Sequence, residues 1–544
     1  MSAYEFLVEL ECLPPRSSTV TTLRFATVGR VTGPADTPAN THYQERVTQA
    51  MDIAQSLFAE GTTYGRASVS VGGVELANQD GALDYLINYS FDHRAVRVYR
   101  LAAGAAFSSR TAIFTGTVLH PEFVGDTVQF TMRDRQTELD HPFQSVLFAG
   151  TGGVEGTGSD LKSTPKPILI GNGCTTLPVP IVDAALLIYQ VSDRAGLVTR
   201  VSDSGIDLVA GATYASYADL LTVAPSAFTY RVYSGSQGCY VRLGSQPDGK
   251  ITVDADEHAD PADATAASLM VQMLLRLSLE KGDAGTYTVR AADVTAMDAA
   301  NSAPLGRWVS DDVSATALLD ELAKTVGASW LFDQTGEVRF QRLERPVTVG
   351  YTIPRVVEDS LERITPEDRD RGNPTWQQTI YWGRNYAPGQ VLAAGVASDR
   401  RAVLEKEWRA ATYENDAIVT RHKGAVVATE YTWFNTESDA LAEATRRQLL
   451  RAERLHMFRW VTELTPAIDA REIGSVVGVK ESRYQLRLRG DAVGTPLILT
   501  TKRPDTTTGL CEMIGWGATM RRANRVTSDG RYRGCGPSIY RVAA

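Results

Sequence analysis

Few of the residue patterns that bring chemistry to a protein occur in this chain of 544 residues. Its cysteines are scattered without a Cys-x-x-Cys pair, which excludes a zinc ribbon and a thioredoxin-type motif. We predict buried or incidental thiols of a reducing cytoplasm, and the sequence leaves a disulfide between Cys511 and Cys535 open. The seven histidines show no metal-chelating spacing. The five cysteines are Cys12, Cys174, Cys239, Cys511 and Cys535.

Long apolar runs and an excess of basic charge are also missing. No stretch of about 18 apolar residues is present, so the sequence offers no membrane-spanning helix. The first ten residues lack the basic and apolar regions of a signal peptide, and we expect the chain to stay on the soluble side. The formal net charge of −9 excludes a global basic field, so any contact with DNA must be local.

The composition that remains is that of a soluble, multidomain, β-rich protein. Hydrophobic residues make up 43% and charged residues 22%, values typical of globular chains. We predict a mainly β fold with some α, in which β-barrel or β-sandwich domains accompany a small α+β module. The predicted divisions are an N-terminal barrel-like domain at 1–148, a Gly-rich linker at 149–164, an inserted all-β domain at 165–258, an α+β module at 259–345 and a C-terminal β-rich domain at 346–544.

In the N-terminal domain, short runs rich in Val, Phe and Tyr alternate with turn residues and predict strands. One segment has a different period: its apolar residues roughly follow a helical stripe from Val47 to Phe58, which predicts a short helix over Gln44 to Phe58. The predicted strands are Glu5 to Cys12, Thr21 to Val28, Ala67 to Val71, Ala95 to Leu101, Thr111 to Leu119 and Asp126 to Arg133.

Capping residues predict three helices farther along the chain. Asp260 followed by Pro261 opens one through Leu277, Ser314 opens a second that stops at Gly327, and Thr436 opens a long one over residues 437–456. The segment 329–343 predicts a hairpin around Asp-Gln-Thr-Gly. Strands are predicted in the C-terminal domain at Thr375 to Gly383, Ile418 to His422, Thr429 to Phe434, Phe458 to Leu464, Val476 to Val479 and Leu497 to Thr501.

Two glycine-rich segments resemble phosphate-binding motifs by letter only. Residues 244–250 match Gly-x4-Gly-Lys, but Ile251 replaces the required hydroxyl residue and a strand-like run follows instead of a helix. We therefore predict the turn of a β-hairpin. The connector 150–158 lacks the strand and helix that flank a dinucleotide-binding loop, so it is interpreted as linker.

An acidic cluster precedes the first predicted helix. Oxygen ligands of this kind suit Ca²⁺, but the loop lacks the central Gly and closing Glu of an EF-hand. We favour solvated or helix-capping roles. The cluster is Asp254, Asp256, Glu257, Asp260 and Asp263.

The sequence assigns no catalytic, cofactor-binding or metal-binding residue. It contains neither a Gly-x-Ser-x-Gly elbow nor a cysteine-protease signature. A glycosidase needs only two carboxylates brought together in space, and the 64 acidic residues leave that alternative open. Aromatic residues suited to a sugar groove fall mostly on strand-like runs, where packing is their commoner use. They are Trp376, Tyr381, Trp382, Tyr386, Trp408, Tyr413, Tyr431 and Trp433.

Basic residues cluster on the predicted helix 437–456 and near the end of the chain. On the helix they alternate with acidic residues, so pairing across a solvated face is the simplest interpretation. An intersubunit or DNA-channel surface is the alternative. These residues are Arg446, Arg447, Arg451, Arg454, Arg521, Arg522 and Arg525.

Several of these segments also resemble, in order, the hub and tail-tip proteins of bacteriophage tails and gene transfer agents. In the N-terminal part they are an Asn-x-Asp-Gly turn at 78–81, an Arg-led strand at 94–99, a Phe-x-Gly turn at 114–116 and a strand closing on Arg133-Asp134. The likeness continues through 165–254, 314–343, 374–385, 439–446 and 515–517. No single motif is decisive, and the order and coverage carry the resemblance.

The resemblance implies a non-enzymatic virion protein located at the tail tip or baseplate and assembled in the host cytoplasm. Such a hub is a homotrimer with two barrel-like domains per subunit, which form a pseudo-sixfold ring. It joins the hexameric tail tube and distal tail protein to a threefold central spike or fibres, contacts the tape measure protein and surrounds the channel through which DNA passes. The sequence leaves open two alternatives, a tail-associated cell-wall hydrolase and a receptor-binding tail protein whose 165–258 insertion faces the host.

Overall fold

The protein is described here from a computed structural model, which covers residues 4–49, 53–58, 63–156, 160–366, 371–486, 493–505 and 508–519. The fold is mainly β with some α, as predicted. Seven sheets are described, and none of them closes into a hydrogen-bonded barrel within the described residues.

The first sheet has ten strands in the order β3-β4-β2-β1-β10-β11-β13-β9-β5, with β12 paired to β13. Strand β1 pairs antiparallel with β2 on one side and β10 on the other. Its residues from Phe6 to Leu10 are buried, since it crosses the middle of the sheet. The strands are β1 Tyr4–Cys12, β2 Thr21–Ala26, β3 Arg30–Val31, β4 His42–Glu45, β5 Val47–Gln49, β6 Ile53–Ser56, β7 Gly65–Arg66, β8 Ser68–Val71, β9 Gly73–Ala77, β10 Arg94–Ala102, β11 Thr111–Val118, β12 Glu122–Val124 and β13 Thr127–Arg133.

The predicted helix over Gln44 to Phe58 is wrong. This part of the chain forms β4, β5 and β6. Strand β4 pairs with β2 at one end of the sheet, while β5 pairs with β9 at the other end, so the chain at Arg46 connects the two ends. Val47 lies opposite Leu76 and both are buried in the same core. Pairing with distant strands therefore overrides the local helical period.

Beyond the linker, two sheets pack against each other as a β-sandwich. Their orders are β15-β23-β18-β19 and β16-β17-β22-β21-β20, and side chains of both sheets share one hydrophobic core. A short helix, α1 Tyr217–Thr222, begins at a capping box formed by Ser216 and Asp219. The strands are β14 Ile168–Gly171, β15 Cys174–Leu177, β16 Ile181–Asp183, β17 Ile188–Ser192, β18 Leu197–Asp203, β19 Ile206–Asp207, β20 Val209–Ala210, β21 Thr229–Gly235, β22 Gly238–Leu243 and β23 Ile251–Asp256.

The predicted hairpin at residues 244–250 is wrong in its pairing. A turn does join two strands, but β22 belongs to one sheet of the sandwich and β23 to the other. The turn crosses between sheets, where the carboxylate of Asp203 accepts hydrogen bonds from the backbone N–H groups of Asp248 (2.7 Å) and Gly249 (2.9 Å). A Pro-Asp-Gly turn is compatible with either connection, because strand pairing depends on distant residues.

The predicted cap of the second helix is confirmed: Ser314 caps α4, which ends at Gly327 in a left-handed conformation with φ of 63°. The prediction that Asp260 opens the first helix is wrong in its position, because Asp260 caps a 3₁₀ turn, Pro261–Ala264, and Thr265 caps helix α2. Strands β25 and β26 form the predicted hairpin. The elements are α2 Ala266–Glu280, α3 Ala291–Ala300, β24 Gly306–Val309, α4 Ala315–Val326, β25 Ala328–Phe332 and β26 Val338–Arg342; β24 pairs with β14.

The C-terminal residues form an eight-stranded sheet, β27-β33-β34-β35-β32-β28 with β6 and β8 attached to β34, and a three-stranded sheet, β30-β29-β31. Helix α7 packs on the smaller sheet. The elements are β27 Tyr351–Thr352, β28 Glu362–Ile364, β29 Thr375–Trp382, α5 Ser398–Leu404, β30 Arg409–Glu414, α6 Asp416–Arg421, β31 Val426–Tyr431, α7 Glu437–Leu450, β32 His456–Glu463, α8 Pro466–Asp469, β33 Val476–Val479, β34 Thr495–Asp505 and β35 Leu510–Gly517.

Two C-terminal predictions need correction. The segment Ile418 to His422 is not a strand, because Asn415 caps the short helix α6 and only one of its apolar side chains, Ile418, is buried. The long helix predicted over 437–456 ends at Leu450, and the chain then enters β32, where His456 lies opposite Gly517. The first error arises because a local cap favours a helix over the strand pattern, and the second because sheet pairing with β35 ends the helical pattern.

The largest hydrophobic core joins α2, α4 and the β25–β26 hairpin to β29 and α7. Trp330 of β25 is fully buried there, and its indole N–H donates to the carboxylate of Asp320 (2.7 Å). Strand β7 also pairs with β25, so a segment near residue 65 contacts elements more than 250 residues away in sequence. This core places the ends of α4, β24 and β31 around one cavity.

Candidate functional site

A cavity of about 170 Å³ lies where the three-stranded sheet meets α4, β15 and β24. Four of the eight aromatic residues singled out in the sequence line it, namely Tyr386, Trp408, Tyr431 and Trp433. The others lie apart from its lining, and Trp382 is buried in the core. The remaining lining residues are Gly173, Cys174, Gly306, Arg307, Glu321, Lys324, Arg384, Thr432, Phe434 and Asn435.

The aromatic wall follows from strand register. Tyr381 of β29 lies opposite Tyr431 of the parallel strand β31, and their rings stack with centroids 4.6 Å apart. Trp408, just before β30, meets the ring of Tyr431 edge-on at 5.2 Å. Tyr431 is 52% exposed, so the stack presents an aromatic surface to solvent at the cavity. Cross-strand packing and an open aromatic surface therefore coexist at this site.

Three cationic side chains also line the cavity, and two are neutralised by nearby carboxylates. Arg307 donates to Glu321 at 3.1 Å, and Lys324 lies 2.9 Å from Glu430. Arg384 differs, since the nearest ion-pair partner within the described residues is Glu407 at 3.7 Å. Among the described residues, Arg384 is therefore the one lining cation whose ion pair is longer than a hydrogen bond.

Arg384 is held in place by aromatic rings. Its guanidinium lies 4.8 Å from the ring centroid of Tyr386 and 5.5 Å from that of Trp408. Its Nε is buried and has no hydrogen-bond partner among the described residues. Burial raises the pKa of Tyr386 to about 12, so its hydroxyl is protonated at neutral pH, and it accepts a hydrogen bond from the backbone N–H of Trp308 (2.9 Å).

Glu321 is the single carboxylate among the described residues that line the cavity. Besides Arg307, the indole N–H of Trp433 donates to it at 3.2 Å. Glycoside hydrolysis needs a second carboxylate across the scissile bond. The cavity thus has the groups to hold a ligand by stacking and ion pairing, and it lacks the paired acids of a glycosidase.

The acidic cluster predicted near residue 254 binds backbone. Asp254 accepts from the N–H of Thr176 (2.7 Å), Asp256 from Gly173 (2.5 Å) and Glu257 from Gly171 (2.7 Å). Asp260 caps the turn that follows, as predicted. No group of three or more metal-ligating side chains occurs within the described residues. These carboxylates fix the β14–β15 turn, which forms one edge of the cavity.

The basic cluster on α7 has a different environment from the one predicted. Arg446 and Arg447 do pair with an acidic residue three and four positions away, Glu443, but this pairing is buried. The side chain of Glu443 is fully buried, and Arg342 of β26 is its third partner. The prediction of a solvated face is therefore wrong for these residues. Arg454 is exposed and donates to Asn373 (2.8 Å), and Arg521, Arg522 and Arg525 lie outside the described residues.

The four cysteines within the described residues, Cys12, Cys174, Cys239 and Cys511, are free and buried, as predicted. Burial raises the pKa of the Cys12 and Cys511 thiols to about 11. Cys535 lies outside the described residues, so the disulfide with Cys511 that the sequence leaves open is not tested.

Sequence reasoning found the aromatic wall but missed the polar residues of the cavity. Glu321 and Lys324 lie on α4, Arg307 on β24 and Arg384 just after β29. Only the tertiary packing of these elements brings them together. The spacing of Glu321 and Lys324, three residues apart near the C-terminal end of a capped helix, is the one local signal that places two of them on one face.

In the part of the chain that the structure describes, no helix has both the length and the apolar character needed to cross a membrane.

Comparisons with known proteins give similarity in structure alone. No protein-family model matches the sequence, and no curated protein matches it. The 43 kDa tail protein of prophage MuSo2 from Shewanella oneidensis is similar over 94% of this chain and 98% of that chain, with 11% identity and a TM-score of 0.37. A tail protein from Neisseria meningitidis MC58 is similar over 94% and 96%, with 9% identity and a TM-score of 0.40. A chain from the virion of a native gene transfer agent particle is similar over 69% and 89%, with 12% identity and a TM-score of 0.40. The chain is thus similar to prophage tail proteins and to a virion protein, at low identity.

Proposed function

We propose that this protein is a structural component of a bacteriophage-like tail, and specifically the hub of its baseplate or tail tip. In this role it is a homotrimer at the end of the tail. It joins the tail tube and distal tail protein to a central spike or fibres, contacts the tape measure protein and surrounds the channel through which DNA passes. The division into domains at 1–148, 165–258, 259–345 and 346–544 is part of the same proposal.

The observation that carries the proposal is the ordered resemblance of the sequence to hub proteins, placed on the fold. Three of the segments that bear it, at 94–99, 114–118 and 128–134, fall on β10, β11 and β13, which are consecutive neighbours in the first sheet. The turn expected at 114–116 is wrong, because these residues lie within β11. Their companions at 374–385 and 439–446 fall on β29 and α7, which pack together. The resemblance therefore follows contiguous blocks of structure.

The edges of the first sheet also suit assembly into a ring. Strand β3, at one end, and the short strand β12 each have one strand partner among the described residues. Phe123 and Val124 of β12 are 36% and 51% exposed, and Val31 of β3 is 67% exposed. Exposed strand edges with apolar side chains offer unpaired backbone groups and apolar surface with which another chain can pair. In the proposed trimer, neighbouring subunits cover them.

The oligomeric state tests this proposal. Multi-angle light scattering of the purified full chain is expected to give three times the chain mass of 59.1 kDa, or, after addition of the distal tail protein, the mass of a complex that contains three copies of the chain. A chain that stays monomeric in both conditions would count against the hub. The hydrolase alternative predicts turnover of peptidoglycan, which we do not expect.

A further inference from the structure

The cavity at Arg384 is not explained by a role in tail assembly alone. It combines an exposed aromatic surface, one arginine whose ion pair is longer than a hydrogen bond, and polar groups at its rim, within a volume of about 170 Å³. Water occupies about 30 Å³ per molecule in the liquid, so this is the space of about six waters. A cavity of that size admits one six-membered ring whose substituents reach the rim.

The arginine at the cavity indicates which charged group a ligand would carry. Arg307 and Lys324 already have carboxylate partners at 3.1 and 2.9 Å, whereas Arg384 has Glu407 only at 3.7 Å and a buried Nε without a partner among the described residues. The pair with Glu407 is long and both side chains are partly exposed, so it is weak. A planar anion that accepts two parallel hydrogen bonds from the guanidinium would bind more tightly, and a carboxylate has that geometry.

The rings select the rest of the ligand. Trp408 and Tyr431 meet edge-on at 5.2 Å, and Tyr431, whose ring also stacks on Tyr381, is 52% exposed. The C–H faces of a pyranose pack on such rings, while its hydroxyls need hydrogen-bonding groups at the edge. Glu321 supplies an acceptor there, and Asn435 supplies an amide.

We propose that this cavity binds one acidic sugar unit, a pyranose that carries a carboxylate. Arg384 pairs with the carboxylate, Trp408 and Tyr431 pack on the ring, and Glu321 accepts from a hydroxyl. The binding is non-covalent and no bond is broken. The proposal does not rest on the hub role, since the groups that carry it all belong to one chain.

The test is ligand-observed NMR and calorimetry on the full chain at low salt, with D-glucuronate as the probe and D-glucose as its neutral counterpart. For a ligand of this size we expect a Kd of about 1 mM for D-glucuronate. D-Glucose is expected to bind at least tenfold more weakly. A linear tri-galacturonate then tells whether the natural ligand is a polysaccharide or a free sugar acid. Tighter binding of this trisaccharide than of the single sugar indicates a polysaccharide, and failure of the trisaccharide to bind indicates a free sugar acid.

Variants identify the site. Arg384→Gln is expected to weaken binding of D-glucuronate at least tenfold and to remove the preference over D-glucose, and Trp408→Ala to weaken both sugars. Arg231→Gln is the matched control, because Arg231 also stacks on a tyrosine, Tyr214 at 4.1 Å, but does not line the cavity. Three results would each overturn the proposal. They are no binding of D-glucuronate to the unmodified chain, equal binding of D-glucuronate and D-glucose, and unchanged binding of D-glucuronate by a folded Arg384→Gln variant.

Discussion

Removal of the Glu443 charge is expected to open the contact between α7 and α4. The carboxylate is fully buried and accepts hydrogen bonds from Arg446 (2.7 and 2.9 Å), Arg447 (2.6 Å) and Arg342 (2.5 Å). The same three arginines also donate to backbone carbonyls at the C-terminal end of α4 and at the end of β26, for example Arg447 to Thr325 (3.0 Å). One anion therefore organises three cations that connect separate elements.

The size of the effect follows from two independent arguments. Removing one member of a buried ionic group typically costs 3–5 kcal/mol, because the remaining charges stay buried without compensation. The neighbouring arginines also outweigh burial and lower the pKa of Glu443 from 4.5 to about 2. A difference of that size between the folded and unfolded chain is worth about 3 kcal/mol. The two values agree, so we expect Glu443→Gln to cost about 3 kcal/mol.

The sign of the pH dependence is also fixed. Because the folded pKa of Glu443 lies below the unfolded value, its contribution is fully present above about pH 4.5 and is lost as the pH falls toward 2. The variant Glu443→Gln should lose this part of the acid sensitivity. Glu437→Gln is the matched control, since Glu437 is an exposed glutamate on the same helix.

Hydrogen–deuterium exchange followed by mass spectrometry is the appropriate assay, because a chain with several cores need not unfold in one step. Amides of α7 and of the end of α4 are expected to exchange about a hundredfold faster in Glu443→Gln at pH 7, since each 1.4 kcal/mol is worth a factor of ten. The exchange rates of amides in the first sheet should not change. The reasoning would be refuted if Glu443→Gln accelerated exchange in α7 by less than tenfold, or if Glu437→Gln accelerated it by as much as Glu443→Gln.

Three further predictions rest on single sites. Gly171 has φ of +70°, and a Cβ there would lie 2.1 Å from the carbonyl oxygen of Leu305, so Gly171→Ala should lower the local free energy of unfolding, measured by hydrogen exchange, by more than about 2 kcal/mol. Gly282 has φ of +87° but open space around it, so Gly282→Ala should cost only about 1 kcal/mol, and equal costs for the two variants would contradict the argument. Burial and nearby arginines lower the pKa of His456 to about 4, so the folded chain binds a proton at this imidazole less well than the unfolded chain does. The contribution of His456 to the free energy of unfolding should therefore fall as the pH drops from about 6.5 to 4, and an NMR titration of His456 with a midpoint near 6.5 would contradict this prediction. Burial raises the pKa of the Cys12 and Cys511 thiols to about 11, so both should stay unmodified when the folded chain is treated briefly with a thiol reagent at pH 8, and both should react once denaturant is added. Peptide mapping measures the modification, and rapid labelling of either thiol in the folded chain would contradict its burial.

Elements with complete local signals were predictable from the sequence. Helix α4 has a capping Ser314 and a stop at Gly327, and the hairpin after it has a turn whose residues suit only a narrow range of conformations. Five of the ten strands of the first sheet, β1, β2, β10, β11 and β13, also lie close to their predicted ranges. In these cases the residues that determine the structure are neighbours in sequence.

The errors occur where distant residues decide. Residues 44–58 have a weak helical period, yet they connect both ends of the first sheet and then add β6 to the C-terminal sheet through Thr501. The turn at residues 244–250 was assigned correctly as a turn, but the sequence could not reveal that it crosses between sheets. The cavity combines residues from 173 to 435, and a single sequence contains no signal for such a meeting.

The Asn-x-Asp-Gly turn at 78–81 illustrates both cases. It does form an ordered turn, in which the side-chain oxygen of Asn78 accepts from the backbone N–H of Leu83 (2.8 Å). Arg46, at the connection between β4 and β5, donates two hydrogen bonds to Asp80 (2.7 and 2.6 Å). The turn thus anchors the segment that joins the two ends of the sheet, a role that required the fold to recognise.

Cryo-electron microscopy of tail tips from particles that carry this protein tests the central claim most directly. The hub proposal predicts three copies of the chain around the tail axis, between the tail tube and the central spike or fibres, with Phe123 and Val124 of β12 covered by a neighbouring subunit. Particles in which the chain is absent from the tail tip, or present there as a single copy away from the axis, would contradict it.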